Sequence, residues 1–159
     1  MAARVGDKAP DFRLPATGPQ DTISLGEFRG KKNVVLLFFP FAFSPVCTDE
    51  MCALRDTYYQ QFNDLDAQVL GISVDSPYTL KAWAEQQKFT FPLLSDFNKE
   101  VAKAYDVYYE QLGNFRGVAK RAAFVIDKDG VIRYRWVTDD PKVLPDQEEI
   151  RRVLAELKG

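Results

Sequence analysis

The chain carries two thiols, Cys47 and Cys52, five residues apart in the segment FFPFAFSPVCTDEMC. They are the only two cysteines among 159 residues, and histidine is absent. Their spacing matches neither the C-x-x-C of dithiol oxidoreductases nor the paired cysteine ligands of a zinc site. Chemistry in this chain would therefore depend on thiols, carboxylates, arginines or lysines, or on an added cofactor.

Ser44 and Pro45 predict the start of a helix, because serine favours the N-cap and proline the first helical position. Cys47 is then the third helical residue, beside unpaired backbone N–H groups at the positive end of the helix dipole. Both features stabilise a thiolate relative to a thiol. The segment also follows a buried strand, at the sheet edge where α/β proteins bind ligands. We therefore predict a reactive Cys47; the alternative is an inert, packed cysteine.

The spacing of the two thiols restricts how they could pair. In one regular helix the Cα atoms of Cys47 and Cys52 would lie about 8.7 Å apart. A disulfide needs less than about 7 Å. A bridge between them would therefore be transient and would require local unwinding of residues 45–52. Otherwise Cys52 is a packing residue at the edge of the helix face, and we predict that 45–52 is helical in the reduced form.

Apolar runs and capping residues predict the elements that position this segment. NVVLLFF at 33–39 is typical of a strand buried on both faces, and QVLGISV at 68–74 is a second such strand. Further predictions are helices at 45–65, 77–87, about 98–105 and 145–157, a short strand at FPLLSD, a hairpin with strands 121–127 and 131–137, and short strands and turns over 1–32.

The element order β-α-β-α-(β)-α-β-β-α places parallel crossovers before an antiparallel hairpin. It predicts an α/β, thioredoxin-like fold with a mixed central sheet, helices on both faces and N-terminal strand additions. With 159 residues, of which 46% are hydrophobic, the chain suits a single domain over 1–159.

The charges do not indicate a nucleic-acid or membrane-surface protein, because the net charge is −2 and both signs are spread along the chain. No apolar run approaches the roughly 20 residues that span a bilayer. The first residues, MAARVGDKAPDF, lack the features of a secretory signal, so we expect a cytoplasmic location and reduced thiols. Two cysteines without any histidine do not supply the usual ligands of a metal site, so we expect no metal.

The segment PFAFSPVCTDE resembles the peroxiredoxin signature P-x-x-x-(T/S)-x-x-C-x-x-E, with Pro40, Ser44, Cys47 and Glu50 at its fixed positions. VGDKAPDFRLP, FTFPLLSDFNKEVAKAYDVY and RAAFVIDKDGVIRYRW are similar to other peroxiredoxin segments, in the family's order. FFPFAFSPVC and the chain length resemble the alkyl hydroperoxide reductase E-like group. The C-x4-C pair resembles the Q-type, or bacterioferritin comigratory protein, group, so the chain looks intermediate between the two.

The resemblance implies a thiol peroxidase in which the Cys47 thiolate attacks hydrogen peroxide or an alkyl hydroperoxide and becomes a sulfenic acid. Arg121 would hold the thiolate and stabilise charge on the leaving oxygen. Glu50 would tie this arginine to the helix, and Pro40 would shield the sulfur. Ser44 stands where threonine is commoner in the family and keeps the hydroxyl, which could donate to the sulfur or to a substrate oxygen.

The resemblance also assigns Phe41 and Phe43 to an apolar mouth that admits alkyl hydroperoxides. Cys52 would resolve the sulfenic acid as an intramolecular disulfide, which thioredoxin or a similar dithiol protein would reduce. No metal, flavin or haem is implied, and the protein would be a monomer or a homodimer.

Other readings of the sequence remain open at this point. In a one-cysteine mechanism an external thiol resolves Cys47 and Cys52 is a bystander. A thioredoxin-like disulfide oxidoreductase predicts a C-x-x-C motif and a proline just before the strand at 121, and residues 111–120 contain no proline. A binding domain or holdase on the same fold would lose nothing on mutation of Cys47.

Overall fold

The computed structural model of the protein describes residues 3–18 and 20–158. Met1, Ala2, Pro19 and Gly159, which belong to the predicted domain of 1–159, lie outside the described residues. The elements in chain order are β1 (Arg13–Pro15), β2 (Thr22–Ser24), a 3-10 turn (Leu25–Phe28), β3 (Asn33–Phe38), α1 (Pro45–Ala53), a π-helical turn (Leu54–Tyr58), α2 (Tyr59–Asp64), β4 (Ala67–Ser73), α3 (Pro77–Gln87), β5 (Leu93–Ser95), α4 (Glu100–Ala104), β6 (Tyr108–Tyr109), β7 (Val118–Ala119), β8 (Ala122–Ile126), β9 (Ile132–Val137) and α5 (Gln147–Lys158).

The described residues form a mixed central sheet in the strand order β5-β4-β3-β8-β9. β3 lies in the middle, parallel to β4 and antiparallel to β8, and β5 continues the parallel half beyond β4. The hairpin of β8 and β9 completes the antiparallel half. The predicted mixed sheet is therefore present. Its parallel strands end at one edge, where β3 leads into α1 and β4 leads into α3.

The side chains of β3 alternate between two buried layers, as expected for a strand covered on both faces. Val35 and Leu37 face a layer with residues of α1, the π-helical turn, α2, α3 and α5. Val34, Leu36 and Phe38 face the other layer, which contains residues of the N-terminal segment and α4. Helices thus cover both faces of the sheet. No helix within 3–18 and 20–158 is long and apolar enough to cross a membrane.

Three features differ from the sequence predictions. The predicted helix at 45–65 is interrupted by the π-helical turn at 54–58, and the helix predicted near 98–105 is shortened to 100–104. The two-residue strands β6 and β7, which pair antiparallel, were not predicted. Strands of two residues show no detectable alternation, so only their pairing reveals them.

A glycine lets the parallel strands approach their covering side chains. A Cβ atom built on Gly71 of β4 would lie 2.7 Å from Leu93 Cδ2 and 3.4 Å from the Phe39 ring. Both neighbours are fully buried, so neither can move without disturbing the core.

We predict that Gly71→Ala lowers the free energy of unfolding by about 1–3 kcal/mol, because the added methyl overpacks this layer. Urea unfolding of the reduced protein measures the change. Gly26→Ala is the matched control, since its Cβ would meet nothing nearer than Asp11 Oδ2 at 3.4 Å. Equal stability of the two variants would contradict the prediction.

Candidate active site

Cys47 lies in the first turn of α1, immediately after the central strand and a short loop. Ser44 has an extended backbone as the N-cap, with φ −70° and ψ 149°, and Pro45 is the first helical residue, both as predicted from the sequence. Cys47 is therefore the third residue of the helix, and it is 1% exposed. The first turn, in which Cys47 lies, carries the free N–H groups and the positive end of the helix dipole.

The Arg121 guanidinium makes three contacts at the base of this helix. Its Nη2 donates to Cys47 Sγ at 2.9 Å, and its Nη1 donates to Glu50 Oε1 at 2.6 Å. Its Nε donates to the Pro141 carbonyl at 3.0 Å. A guanidinium presents its donors in a rigid planar fork, so these contacts fix its orientation. The contact places a buried cationic donor directly against the sulfur.

Glu50 and Arg121 form an ion pair in which both side chains are 1% exposed. Burial raises the pKa of Glu50 to about 7, although the charge and hydrogen bond of Arg121 act in the opposite direction. Glu50 Oε2 has no hydrogen-bond partner among the described residues. Burying the Glu50 carboxylate therefore costs folding free energy. Its contribution is to orient the Arg121 guanidinium rather than to stabilise the fold.

The structure places Ser44 and the two loop phenylalanines in different surroundings. The Ser44 hydroxyl donates to the Phe41 carbonyl at 3.0 Å and not to the sulfur, and its oxygen accepts no hydrogen bond from the N–H groups of the helix start. Pro40 and Phe41 line a cavity that Cys47 also lines. Phe43 points elsewhere: its ring is half exposed and lies 6.2 Å from the ring of Trp83.

The cavity has a volume of about 480 Å³ and leads from the surface to Cys47 and Arg121. Its walls are mostly apolar and come from three parts of the chain: residues 40–41 and 44–46, residues 112–115, and residues 141–142. The Phe115 ring packs edge-on against Phe41, with centroids 4.9 Å apart. Sequence reasoning missed Leu112, Phe115, Pro141 and Lys142, because no local motif reveals a contact between segments so far apart in the chain.

Cys52 lies in the last turn of α1 and is half-buried. Its thiol donates to Gln87 Oε1 at 3.5 Å, at the C-terminal end of α3. Arg55, in the π-helical turn, donates to the Gln87 carbonyl. Both cysteines are free, and α1 spans both of them, so the predicted reduced, helical state of residues 45–52 is the state described.

No group of three or more His, Cys, Asp or Glu side chains is arranged to hold a metal ion within the part of the chain that the structure describes. Cys47 and Arg121 both line the cavity, together with the polar residues Ser44, Asn114 and Lys142. This arrangement can present a thiolate and a cationic donor to a small substrate.

The pKa of Glu50 predicts how stability depends on pH. Its folded-state value of about 7 exceeds the ordinary value of 4.5, so the folded state binds the proton more tightly. The contribution of Glu50 protonation to the free energy of unfolding is fully present below pH 4.5 and is lost as pH rises through 7. We predict a loss of about 3 kcal/mol across this window relative to Glu50→Gln, which cannot titrate.

Urea unfolding at about pH 4 and about pH 8 measures this difference. Both proteins carry Cys47→Ser, so that thiol ionisation does not contribute. A difference between the two proteins that stays constant over this range would contradict the assignment of a buried, proton-binding Glu50.

Comparisons with known proteins agree with this geometry. The model of the AhpC/TSA family matches residues 5–135. The alkyl hydroperoxide reductase E of Mycobacterium tuberculosis is 46% identical over 132 residues, which cover 82% of this chain and 82% of the relative. A chloroplastic 2-cysteine peroxiredoxin of Chattonella marina var. antiqua is 39% identical over 148 residues, covering 87% of this chain and 73% of the relative.

Solved structures give the same result for the fold. The reduced 2-Cys peroxiredoxin of Plasmodium vivax has a TM-score of 0.83 at 32% identity, over 95% of this chain and 80% of that one. Peroxidoxin BcpB of M. tuberculosis has a TM-score of 0.79 at 34% identity, over 97% of this chain and 96% of that one. The predicted thioredoxin-like fold is confirmed, and the chain belongs to the AhpC/TSA family: it is a peroxiredoxin, a thiol-dependent peroxidase.

Proposed function

We propose that Cys47 is the peroxidatic thiolate and that Cys52 resolves its oxidised form. The observation that carries the first role is the 2.9 Å contact from Arg121 Nη2 to Cys47 Sγ at the base of an open cavity. A buried thiol beside a guanidinium and a helix N-terminus is arranged for ionisation and attack. The cavity walled by Phe41 and Phe115 gives the buried Cys47 a route to substrate.

In the first step the Cys47 thiolate attacks the terminal oxygen of the hydroperoxide, and the O–O bond breaks. The new S–O bond gives the sulfenate, and the hydroperoxide's own proton passes to the leaving oxygen, which departs as an alcohol or as water. Arg121 Nη2, already donating to the sulfur, can also donate to the oxygen on which negative charge develops. The Ser44 hydroxyl stabilises the loop before α1 by donating a hydrogen bond to the Phe41 carbonyl.

In the second step the Cys52 thiol condenses with the Cys47 sulfenic acid to give a disulfide and one water molecule. Both residues belong to α1, where their Cα atoms are too far apart for a bridge, so α1 must unwind first. A thioredoxin-like dithiol protein then reduces the disulfide. This cycle needs only thiols, and it uses no metal, flavin or haem.

The bond from Cys52 to Gln87 supports a second candidate, in which Cys52 stays in place and an external thiol resolves Cys47. We also propose a single domain over 1–159, a cytoplasmic location and a monomer or homodimer. The support for the location is that a reducing compartment keeps both thiols free.

The intact mass of the reduced protein after one equivalent of hydrogen peroxide separates the two mechanisms. We expect a loss of about 2 Da in wild type, for the disulfide, and a gain of about 16 Da in Cys52→Ser, for the trapped sulfenic acid. A gain of about 16 Da in both proteins would make Cys52 a bystander. No change in either protein within seconds would contradict a peroxidatic Cys47.

The wall formed by Phe115 predicts substrate preference. Phe115→Ala should lower kcat/KM for tert-butyl hydroperoxide about tenfold, because an alkyl group loses apolar contact worth roughly 1–3 kcal/mol. The value for hydrogen peroxide should change by less than about twofold. Phe97→Ala is the control, since Phe97 is similarly exposed and lies outside the cavity. An equal fall for both peroxides would contradict a role in selectivity.

A further inference from the structure

The loop of residues 41–44, which leads from β3 into α1, holds a strained backbone. Phe43 has a left-handed conformation with φ 69°. This conformation costs about 1–2 kcal/mol for a residue with a side chain. Such strain persists only where surrounding contacts hold it in place. The contacts of this loop therefore decide whether the start of α1, and Cys47 with it, stays in position.

One of these contacts comes from the segment that follows the neighbouring strand β4. The Ala42 N–H donates to Asp75 Oδ2 at 2.7 Å, across 33 residues of chain. The Ser44 hydroxyl bonds within the loop, and Phe43 contributes an apolar contact with Trp83. Among the described residues, no other side chain from outside residues 41–48 forms a hydrogen bond with the backbone of this loop.

Asp75 is itself fixed to the edge of the sheet. Its Oδ2 accepts a second hydrogen bond, from Ser73 Oγ at 2.7 Å. The backbone N–H of Asp75 donates in turn to Ser73 Oγ at 3.2 Å. Ser95 Oγ donates to the Asp75 carbonyl at 2.6 Å. Ser73 and Ser95 are register partners at the ends of β4 and β5. The carboxylate is therefore a rigid acceptor, on which the loop depends.

We propose that Asp75 is the positioning residue of the peroxidatic loop. Its carboxylate accepts the hydrogen bond of the Ala42 N–H and so keeps the first turn of α1, which contains Cys47, helical while peroxide reacts. The bond breaks when residues 45–52 unwind for the disulfide step, which rests on the proposed role of Cys52. Asp75 does not touch the reacting atoms; it sets how often the loop opens.

The two steps of the cycle respond differently to loss of this bond. The peroxide step uses the wound form, which is the majority, so a shift in the equilibrium leaves its rate nearly unchanged. The disulfide step uses the unwound minority, so its rate rises as that population rises. A hydrogen bond to a charged group supports a change of about tenfold in this population. General destabilisation, by contrast, would not accelerate one step selectively.

Hydrogen exchange of the reduced protein tests the positioning role without any peroxide. In Asp75→Ala the amides of 45–53 should exchange about tenfold faster than in wild type. Asp75→Asn, which keeps an acceptor oxygen, should stay close to wild type. Asp127→Ala is the control: Asp127 also accepts backbone N–H groups, but in the β8–β9 turn. Unchanged exchange in Asp75→Ala, or equal acceleration in Asp127→Ala, would overturn the proposal.

Rapid mixing with peroxide, followed by acid quench and intact mass, tests the consequence. Asp75→Ala should form the disulfide about tenfold faster once sulfenic acid is present, with less overoxidation to sulfinic acid. A disulfide that forms no faster, despite faster exchange, would overturn the release of Asp75 during unwinding. If wild type forms no disulfide, the role of Cys52 fails, and the exchange measurement still decides the role of Asp75.

Discussion

The Arg121 guanidinium contacts two parts of the chain that are distant from it in sequence. It contacts Cys47 and Glu50 in the first two turns of α1 and the carbonyl of Pro141 beyond β9. Removing a cation and a carboxylate from water is costly, and their attraction offsets this cost only when the geometry is complete. The rest of the fold must therefore supply both the burial and the placement, and Arg121 lies immediately before β8, the strand that pairs with the central strand β3.

The helix that carries Cys47 meets two opposing demands. It must be wound for the N–H groups of its first turn to face the sulfur, and it must unwind for the proposed bridge to Cys52. Contacts at both ends bear on this balance. Asp75 holds the loop before the helix, and a π-helical turn at 54–58 follows it. Turns of this kind interrupt the regular hydrogen-bond ladder and frequently occur at functional sites.

The two aromatic walls of the substrate cavity come from loops rather than from helices or strands. Phe41 comes from the loop after β3, and Phe115 comes from the connection between β6 and β7. Such connections can vary without cost to the core, whereas the Cys47 and Arg121 contacts cannot. The thiol chemistry and the access of substrate are thus carried by different parts of the molecule.

The sequence by itself determined the local features: the Ser44-Pro45 helix start, the buried strand at 33–38 and the position of Cys47 in the first turn. These follow from backbone preferences and hydrophobic periodicity, which act over a few residues. Arg121 and Glu50 were recognised only through the family motif, since a charged residue at a strand or helix start is ordinary. Asp75 and Phe115 were missed, because their contacts exist only once the strand order β5-β4-β3-β8-β9 brings distant segments to one edge of the sheet.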